Sequence, residues 1–71
     1  MNYKSAFGKR LKELREKNSL TQRKLAQLLN ISQQAVGWWE QGRRFPGGES
    51  LIKIADYFNT SIDYLVGRLD K

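Results

Sequence analysis

Residues 21–42 are TQRKLAQLLNISQQAVGWWEQG, and they carry more structural information than any other part of this chain. Thr21 and Ser32 are residues that begin helices well, because a hydroxyl oxygen can accept a hydrogen bond from a free N–H group of the first turn. Asn30, between them, tolerates the left-handed backbone conformation that ends many helices. The spacing of these signals predicts two short helices joined by a tight turn over about residues 21–41.

The rest of the chain predicts three further helices and no strand. Apolar residues at helical spacing place a first helix from about Ser5 to Lys17. Gly42 is the expected end of the third helix, residues 43–48 have the composition of a loop, and Ser61 caps a short fifth helix. The residues expected to face inward from the last two helices are Leu51, Ile54, Ala55, Phe58, Ile62, Leu65 and Val66. The predicted fold is all-α, a compact five-helix bundle that forms a single domain over residues 1–71.

Composition narrows the kind of partner. Thirteen Lys and Arg against seven Asp and Glu give a net charge of +6, which favours a polyanionic partner or an acidic membrane surface, or simply a solvated surface. The chain has no Cys and no His, so disulfides and thiolate metal sites are excluded, and no metal, cofactor or small-molecule ligand is predicted. No serine has a His to activate it, so an enzyme is not expected. No apolar run suits a membrane span or a signal peptide, so the expected location is cytoplasmic.

The third predicted helix has two different sides. At about 100° per residue, Val36 and Trp39 lie on one side and are expected to be buried. The other side carries Gln34, Gly37, Trp38 and Gln41, with Gln33 at the exposed start of the helix. A glutamine amide can form two hydrogen bonds with an adenine edge in the major groove of DNA. The outward side is therefore suited to contacts with base edges, whereas a merely solvated helix would carry Lys and Glu.

Two residues on this outward side have more than one interpretation. Gly37 costs a helix about 1 kcal/mol relative to alanine, which indicates either that a base or a sugar-phosphate backbone approaches closely, or sequence drift. Trp38 is directed outward once Trp39 fills the core. Its ring could contact thymine methyl groups or sugars, bind a protein partner, or fold back over the loop around Arg43.

Anchors for DNA phosphates are predicted at the helix starts and just after the third helix. Free N–H groups at a helix N-terminus favour a phosphate oxygen. The residues in these places are Thr21, Gln22, Ser32 and Gln33 at the helix starts, and Arg43 and Arg44 after the third helix. With several cations at the backbone, binding is expected to depend strongly on salt.

A structural contact is predicted between the first and third helices. Arg15 and Glu40 each lie at the edge of the buried side of their helix. The two side chains could therefore pair and brace one helix against the other, with little direct part in DNA binding.

In these residues the chain resembles the Cro and C1 phage-repressor family of xenobiotic-response-element-like helix-turn-helix regulators. The resemblance extends from Phe7 to Gly67 and rests on short segments that are specific only together. They are Leu11-Lys12-Glu13-Leu14-Arg15, Leu20-Thr21-Gln22, Leu25-Ala26, Ile31-Ser32-Gln33-Gln34, Val36, Trp39-Glu40-Gln41-Gly42, Pro46, Ile54-Ala55 and Asp63-Tyr64-Leu65. Two positions depart from the family pattern: Asn30 stands where glycine is common, and Trp38 where a polar residue is usual.

The resemblance implies a lambda-repressor-like domain whose third helix is the recognition helix. The family's base-reading and phosphate-binding positions correspond to Gln22, Ser32, Gln33, Gln34 and Trp38, with backbone contacts near Gln41, Arg43 and Arg44. The resemblance also implies the Arg15–Glu40 ion pair. It further implies a homodimer on a pseudo-palindromic operator, formed through the C-terminal helix, here Ile62, Tyr64, Leu65 and Val66.

The leading hypothesis is a sequence-specific regulator of transcription, in particular a bacterial or phage repressor, that places residues 32–41 in the major groove of double-stranded DNA. One alternative is the antitoxin of a toxin–antitoxin pair, which would need a toxin-binding segment. Another is a protein-interaction module that uses the Trp38 face. Retention on random duplex DNA that disappears with added salt separates DNA binding from the protein-interaction module.

Overall fold

The computed structural model describes residues 2–70, and five α-helices follow one another along this range. They are α1 (Tyr3–Lys17), α2 (Gln22–Leu29), α3 (Gln33–Glu40), α4 (Gly48–Tyr57) and α5 (Ile62–Leu65). No strand forms within residues 2–70, so the all-α fold class expected from the sequence is confirmed. In the same range, no helix has both the length and the apolar character needed to cross a bilayer.

The tight turn between α2 and α3 is built by the three residues that predicted it. The Thr21 hydroxyl accepts a hydrogen bond from the Lys24 N–H at 3.0 Å, and the Ser32 hydroxyl accepts one from the Ala35 N–H at 3.0 Å. Asn30 has φ 55° and ψ 49°, the left-handed conformation that ends α2. The chain therefore leaves one helix and enters the next within three residues, Asn30 to Ser32.

The helix α1 begins earlier than the sequence suggested. Its first residue is Tyr3, not a residue near Ser5, because the Asn2 side chain accepts a hydrogen bond from the Ser5 N–H at 3.1 Å. Asn is as good an N-cap as Ser or Asp, since its carbonyl oxygen satisfies the same free donor. The earlier start places Lys4 in the first turn of the helix.

The core lies between the inner sides of the helices. Its fully buried side chains are Phe7, Leu11, Leu25, Val36, Ile54 and Leu65. Trp39 is 6% exposed and packs edge-on against Phe7, with ring centroids 6.1 Å apart and planes at 71°. The inward direction of Val36 and Trp39, predicted from helical spacing, is thus confirmed.

The short helix α5 corrects one prediction. Ser61 caps it by accepting a hydrogen bond from the Tyr64 N–H at 3.0 Å, as expected. Ile62, expected to pack inward, is 40% exposed, because α5 is only four residues long and its C-terminal end is the part that reaches the core. Leu65 and Val66 are buried inside this chain, where they pack inward as expected. Their assignment to a dimer contact stays a prediction.

The backbones of α1 and α3 touch at Gly8. An alanine Cβ at this position would overlap the carbonyl oxygen of Trp39 and lie 3.0 Å from the carbonyl oxygen of Glu40. Only glycine lets two backbones approach this closely. This contact fixes the C-terminal end of α3 relative to the rest of the bundle.

Candidate nucleic-acid interface

The outward side of α3 borders an open groove, which we call the amide groove. It is lined by Gln22, Gln33, Gln34, Trp38, Gln41 and Arg43. The tight turn brings the first residue of α2 beside α3, so four glutamine amides share one surface. Each amide carries both donors and an acceptor, and paired donors and acceptors are the groups that distinguish base edges in the major groove.

Gln22 is held in place by α3. Its Nε2 donates a hydrogen bond to Oε1 of Glu40 at 3.1 Å. One amide proton is used in this bond, so the second proton and the carbonyl oxygen remain available to a ligand. The role expected from the sequence, a phosphate anchor at the start of α2, stays a prediction, and the bond to Glu40 adds a structural role.

Gly37 is half-buried beside this groove. A Cβ built on it would lie 3.6 Å from Oε1 of Gln22, an ordinary van der Waals distance, and would meet no other nearby group. An alanine would therefore fit within the chain. Because no contact within residues 2–70 requires glycine here, the approach of an external group to Gly37 stays a prediction.

A second open groove, which we call the cationic groove, shares Trp38 and Arg43 with the first. It is lined by Lys4, Trp38, Arg43, Arg44 and Phe45. The guanidinium carbon of Arg44 lies 4.5 Å from the centroid of the Trp38 ring, in cation–π contact. Three positive side chains around one open surface are suited to phosphate oxygens. The sequence suggested that the Trp38 ring could fold back over the loop around Arg43. The residue of that loop in cation–π contact with the ring is Arg44.

A buried ion pair braces α1 against the end of α3. Arg15 donates from Nε to Oε2 of Glu40 at 2.7 Å and from Nη2 to Oε1 at 2.9 Å, and it donates from Nη1 to the Leu20 carbonyl oxygen at 2.7 Å. The two side chains are 11% and 4% exposed. The hydrogen bond to Glu40 raises the pKa of Arg15 above its ordinary value, although burial acts in the opposite direction. The pair predicted between Arg15 and Glu40 is therefore present, more deeply buried than the helix edges suggested.

Besides Gly37, two predicted DNA-binding residues, Thr21 and Ser32, line neither groove. The side chains of Thr21 and Ser32 are exposed at the starts of α2 and α3, and their hydroxyl oxygens already accept backbone hydrogen bonds. Contact with a phosphate there would depend on their hydroxyl protons and on backbone N–H groups. Arg43 is exposed and donates to Oε1 of Gln41 at 3.5 Å, so its position is only weakly fixed.

The helix-turn-helix family model matches residues 11–65, which include α2, the tight turn, α3 and the two helices that follow. This chain belongs to the helix-turn-helix family. The match confirms the resemblance to Cro/C1-type regulators that the sequence segments indicated.

Several curated relatives of this helix-turn-helix chain are named as regulators of transcription. It is 40% identical over 63 residues to the HTH-type transcriptional regulator ImmR of Bacillus subtilis, covering 89% of this chain and 50% of that protein. It is 40% identical over 60 residues to the HTH-type transcriptional activator BcrR of Enterococcus faecalis, covering 84% and 29%. It is 30% identical over 60 residues to repressor protein C2 of Salmonella phage P22, covering 84% and 28%. The chain thus spans half or less of the length of these three relatives.

The cationic groove of this helix-turn-helix chain includes two residues that the sequence did not single out. Lys4 lines the cationic groove from the first turn of α1, and Phe45 lines it while packing edge-on against Phe7 at 5.6 Å between centroids. The only local signal for Lys4 is its charge, which it shares with many other residues. Its place beside Arg43 and Arg44 depends on how α1 packs against α3.

Proposed function

We propose that this helix-turn-helix chain binds double-stranded DNA in a sequence-specific manner and regulates transcription. The observation that carries the proposal is the amide groove, in which Gln22, Gln33, Gln34 and Gln41 line one open surface along α3. Such a surface matches the donor and acceptor pattern of the major groove, which admits one α-helix. The relatives include a protein named an activator and one named a repressor, so we propose regulation and leave its direction to experiment.

In this proposal the two grooves make different kinds of contact with DNA. The amide groove supplies contacts to base edges, and these select the sequence. The cationic groove, with Lys4, Arg43 and Arg44, supplies contacts to phosphates, which strengthen binding to every sequence and release counterions. Such a regulator works in the cytoplasm, where bacterial and phage DNA is transcribed.

The test is selection of bound duplexes from a random pool, followed by binding measurements on two variants. Gln33→Ala is expected to weaken binding to the selected duplex about 5- to 150-fold and to change binding to random DNA little, because a bidentate amide–base contact contributes about 1–3 kcal/mol of discrimination. Arg43→Ala is expected to weaken both duplexes by similar factors and to reduce the slope of log K against log salt by about 1.

The matched comparison is between the two variants on the same pair of duplexes. Equal losses of affinity on selected and random DNA for both variants would contradict the proposal that the amide groove selects the sequence while the cationic groove binds phosphates. Failure to enrich any sequence, with weak and salt-insensitive retention on duplex DNA, would favour a protein partner for the Trp38 face and would refute the proposed function.

Gly37→Ala gives an independent prediction. We expect the variant to be as stable as the parent or up to about 1 kcal/mol more stable, because the new Cβ fits against Gln22 and alanine favours a helix. Binding to the selected duplex is expected to fall, since the added methyl group lies on the surface that would meet DNA. Thermal unfolding and a duplex titration of the same sample check both parts. Unchanged affinity would leave drift as the explanation of the glycine.

We also propose a homodimer on a pseudo-palindromic operator. Ile62, on α5, is the exposed apolar residue of the predicted contact, and Tyr64 is half-buried with its ring 4.2 Å from the Arg10 guanidinium carbon. Two half-sites about one helical turn apart in the selected duplexes would support the dimer. Selected sequences with a single unrepeated motif would contradict it.

The antitoxin alternative gains nothing from the relatives, which are named as a transcriptional regulator, a transcriptional activator and a repressor. A non-enzymatic function agrees with those names as well. The amide groove therefore favours DNA over the other partners considered.

A further inference from the structure

Trp38 is the apolar member of an otherwise polar groove. The other five side chains of the amide groove end in amides or a guanidinium. Trp38 also lines the cationic groove, so its indole stands between the two surfaces. A half-buried tryptophan on the outward side of a small domain needs an explanation, because its ring leaves apolar area in water.

The core does not supply that explanation. Trp39, the next residue, fills the interior against Phe7, and Trp38 does not belong to the cluster of buried residues. Trp38 makes a cation–π contact with Arg44, whose guanidinium carbon is 4.5 Å from the ring centroid. A cation–π contact at a partly exposed site is weak, but it restricts the rotamer of the indole.

Resting on the proposed function, we propose that Trp38 recognises a thymine in the major groove through its C5 methyl group, and that Arg44 is the positioning residue for the indole. The reason is chemical complementarity. Base edges in the major groove present donors and acceptors, and the thymine methyl is the one apolar group among them. An indole ring has apolar faces and a single N–H donor, so its best partner on that surface is the methyl group.

Arg44 serves two contacts from one position. Its planar guanidinium covers part of the Trp38 ring, and its charge contributes to the cationic groove beside Lys4 and Arg43. Lysine at position 44 would keep the charge for a phosphate but would lose the planar group that packs on the ring. Substitution by lysine therefore separates positioning of the indole from attraction to phosphate.

The experiment removes one methyl group at a time from the DNA. Each thymine of a duplex selected with the full chain is replaced by deoxyuridine, which keeps every hydrogen-bonding group of the base. For one thymine in each half-site, the replacement is expected to weaken binding of the parent chain about three- to fivefold. This factor corresponds to the loss of one buried methyl group. The same replacement is expected to have no effect on Trp38→Gln and a reduced effect on Arg44→Lys.

Two further variants make the result specific. Trp38→Phe keeps an apolar ring and is expected to retain part of the deoxyuridine effect, which a mere folding defect would not. Arg43→Ala weakens binding without touching the indole contact to Arg44, so its deoxyuridine ratio is expected to match that of the parent. Circular dichroism of each variant verifies that the helices are intact.

The outcomes separate this inference from the proposed function. If the chain enriches a specific sequence but tolerates every deoxyuridine, or if Trp38→Gln keeps the full effect, the methyl contact is refuted and sequence-specific binding stands. If Arg44→Lys keeps the full ratio, Arg44 does not position the indole. If no duplex is enriched at all, both the function and this inference fail.

Discussion

Glu40→Ala is expected to lower the free energy of unfolding by about 3–5 kcal/mol, because it breaks a buried ion pair and leaves one charge behind. The Arg15 side chain is 11% exposed, and after the substitution it would keep only its hydrogen bond to the Leu20 carbonyl oxygen. Gln22 would lose its acceptor as well. A domain of this length commonly has about 4–10 kcal/mol of total stability, so the variant is expected to be close to unfolding under mild conditions.

Urea unfolding followed by circular dichroism measures this loss, with Asp70→Ala as the matched control. Asp70 pairs with Arg10 at 3.9 Å, but its carboxylate is fully exposed, so its removal is expected to change nothing measurable. The double variant Arg15→Ala/Glu40→Ala is expected to lose less than the sum of its two single losses, because no unpaired charge remains buried. Strictly additive losses, or a Glu40→Ala variant as stable as Asp70→Ala, would show that the pair contributes little.

The architecture of the domain was predictable because its signals are local. A cap such as Thr21 or Ser32 needs only its own backbone and the next turn, and Asn30 ends α2 through its own φ and ψ angles. Helical spacing likewise converts sequence positions directly into directions around an axis. The inward direction of Val36 and Trp39, and the outward direction of the glutamines on α3, follow from that geometry alone.

The contacts between helices were harder to predict from the sequence. The hydrogen bond from Gln22 to Glu40, the Arg44–Trp38 contact and the place of Lys4 in the cationic groove all depend on how separate elements pack. The Arg15–Glu40 pair was an exception, since both residues lie at the edge of a buried side and have opposite charge. The inward position predicted for Ile62 was wrong for a related reason. The helix α5 has only four residues, and so short a pattern does not determine which end of the helix reaches the core.

Two glycines inside helices show most clearly which structural features the sequence does not predict. Gly8 and Gly37 each cost their helix about 1 kcal/mol relative to alanine, which indicates either a close approach by some other group or sequence drift. At Gly8 the approaching group is the backbone of α3, and at Gly37 no group within the described part of the chain requires glycine. The cost of a glycine in a helix can be seen in the sequence, but whether a group inside the molecule, a group outside it or drift explains the glycine cannot.

Gly8→Ala is therefore expected to destabilise the domain by about 3 kcal/mol, the upper part of the usual range for overpacking. The new methyl group would meet the backbone carbonyl oxygens of Trp39 and Glu40, which cannot rotate away as a side chain could. The gain of alanine over glycine in helix propensity, about 1 kcal/mol, offsets only part of this cost. The free energy of unfolding from urea titration provides the measurement.

Gly48→Ala is the matched control, because a Cβ there meets nothing within 4 Å and the residue is also helical. It is expected to be neutral or slightly stabilising, and equal stability of the two variants would refute the tight contact at Gly8. The folded fraction of Gly8→Ala should also bind the selected duplex less well, although Gly8 lies in neither groove. Relief of the overlap moves α1 away from the end of α3 that carries Trp38 and Gln41. Gly8→Ala would then lose affinity for the selected duplex although every groove residue is unchanged. Such a loss would show that the position of α3, as well as its side chains, determines how the surface fits DNA.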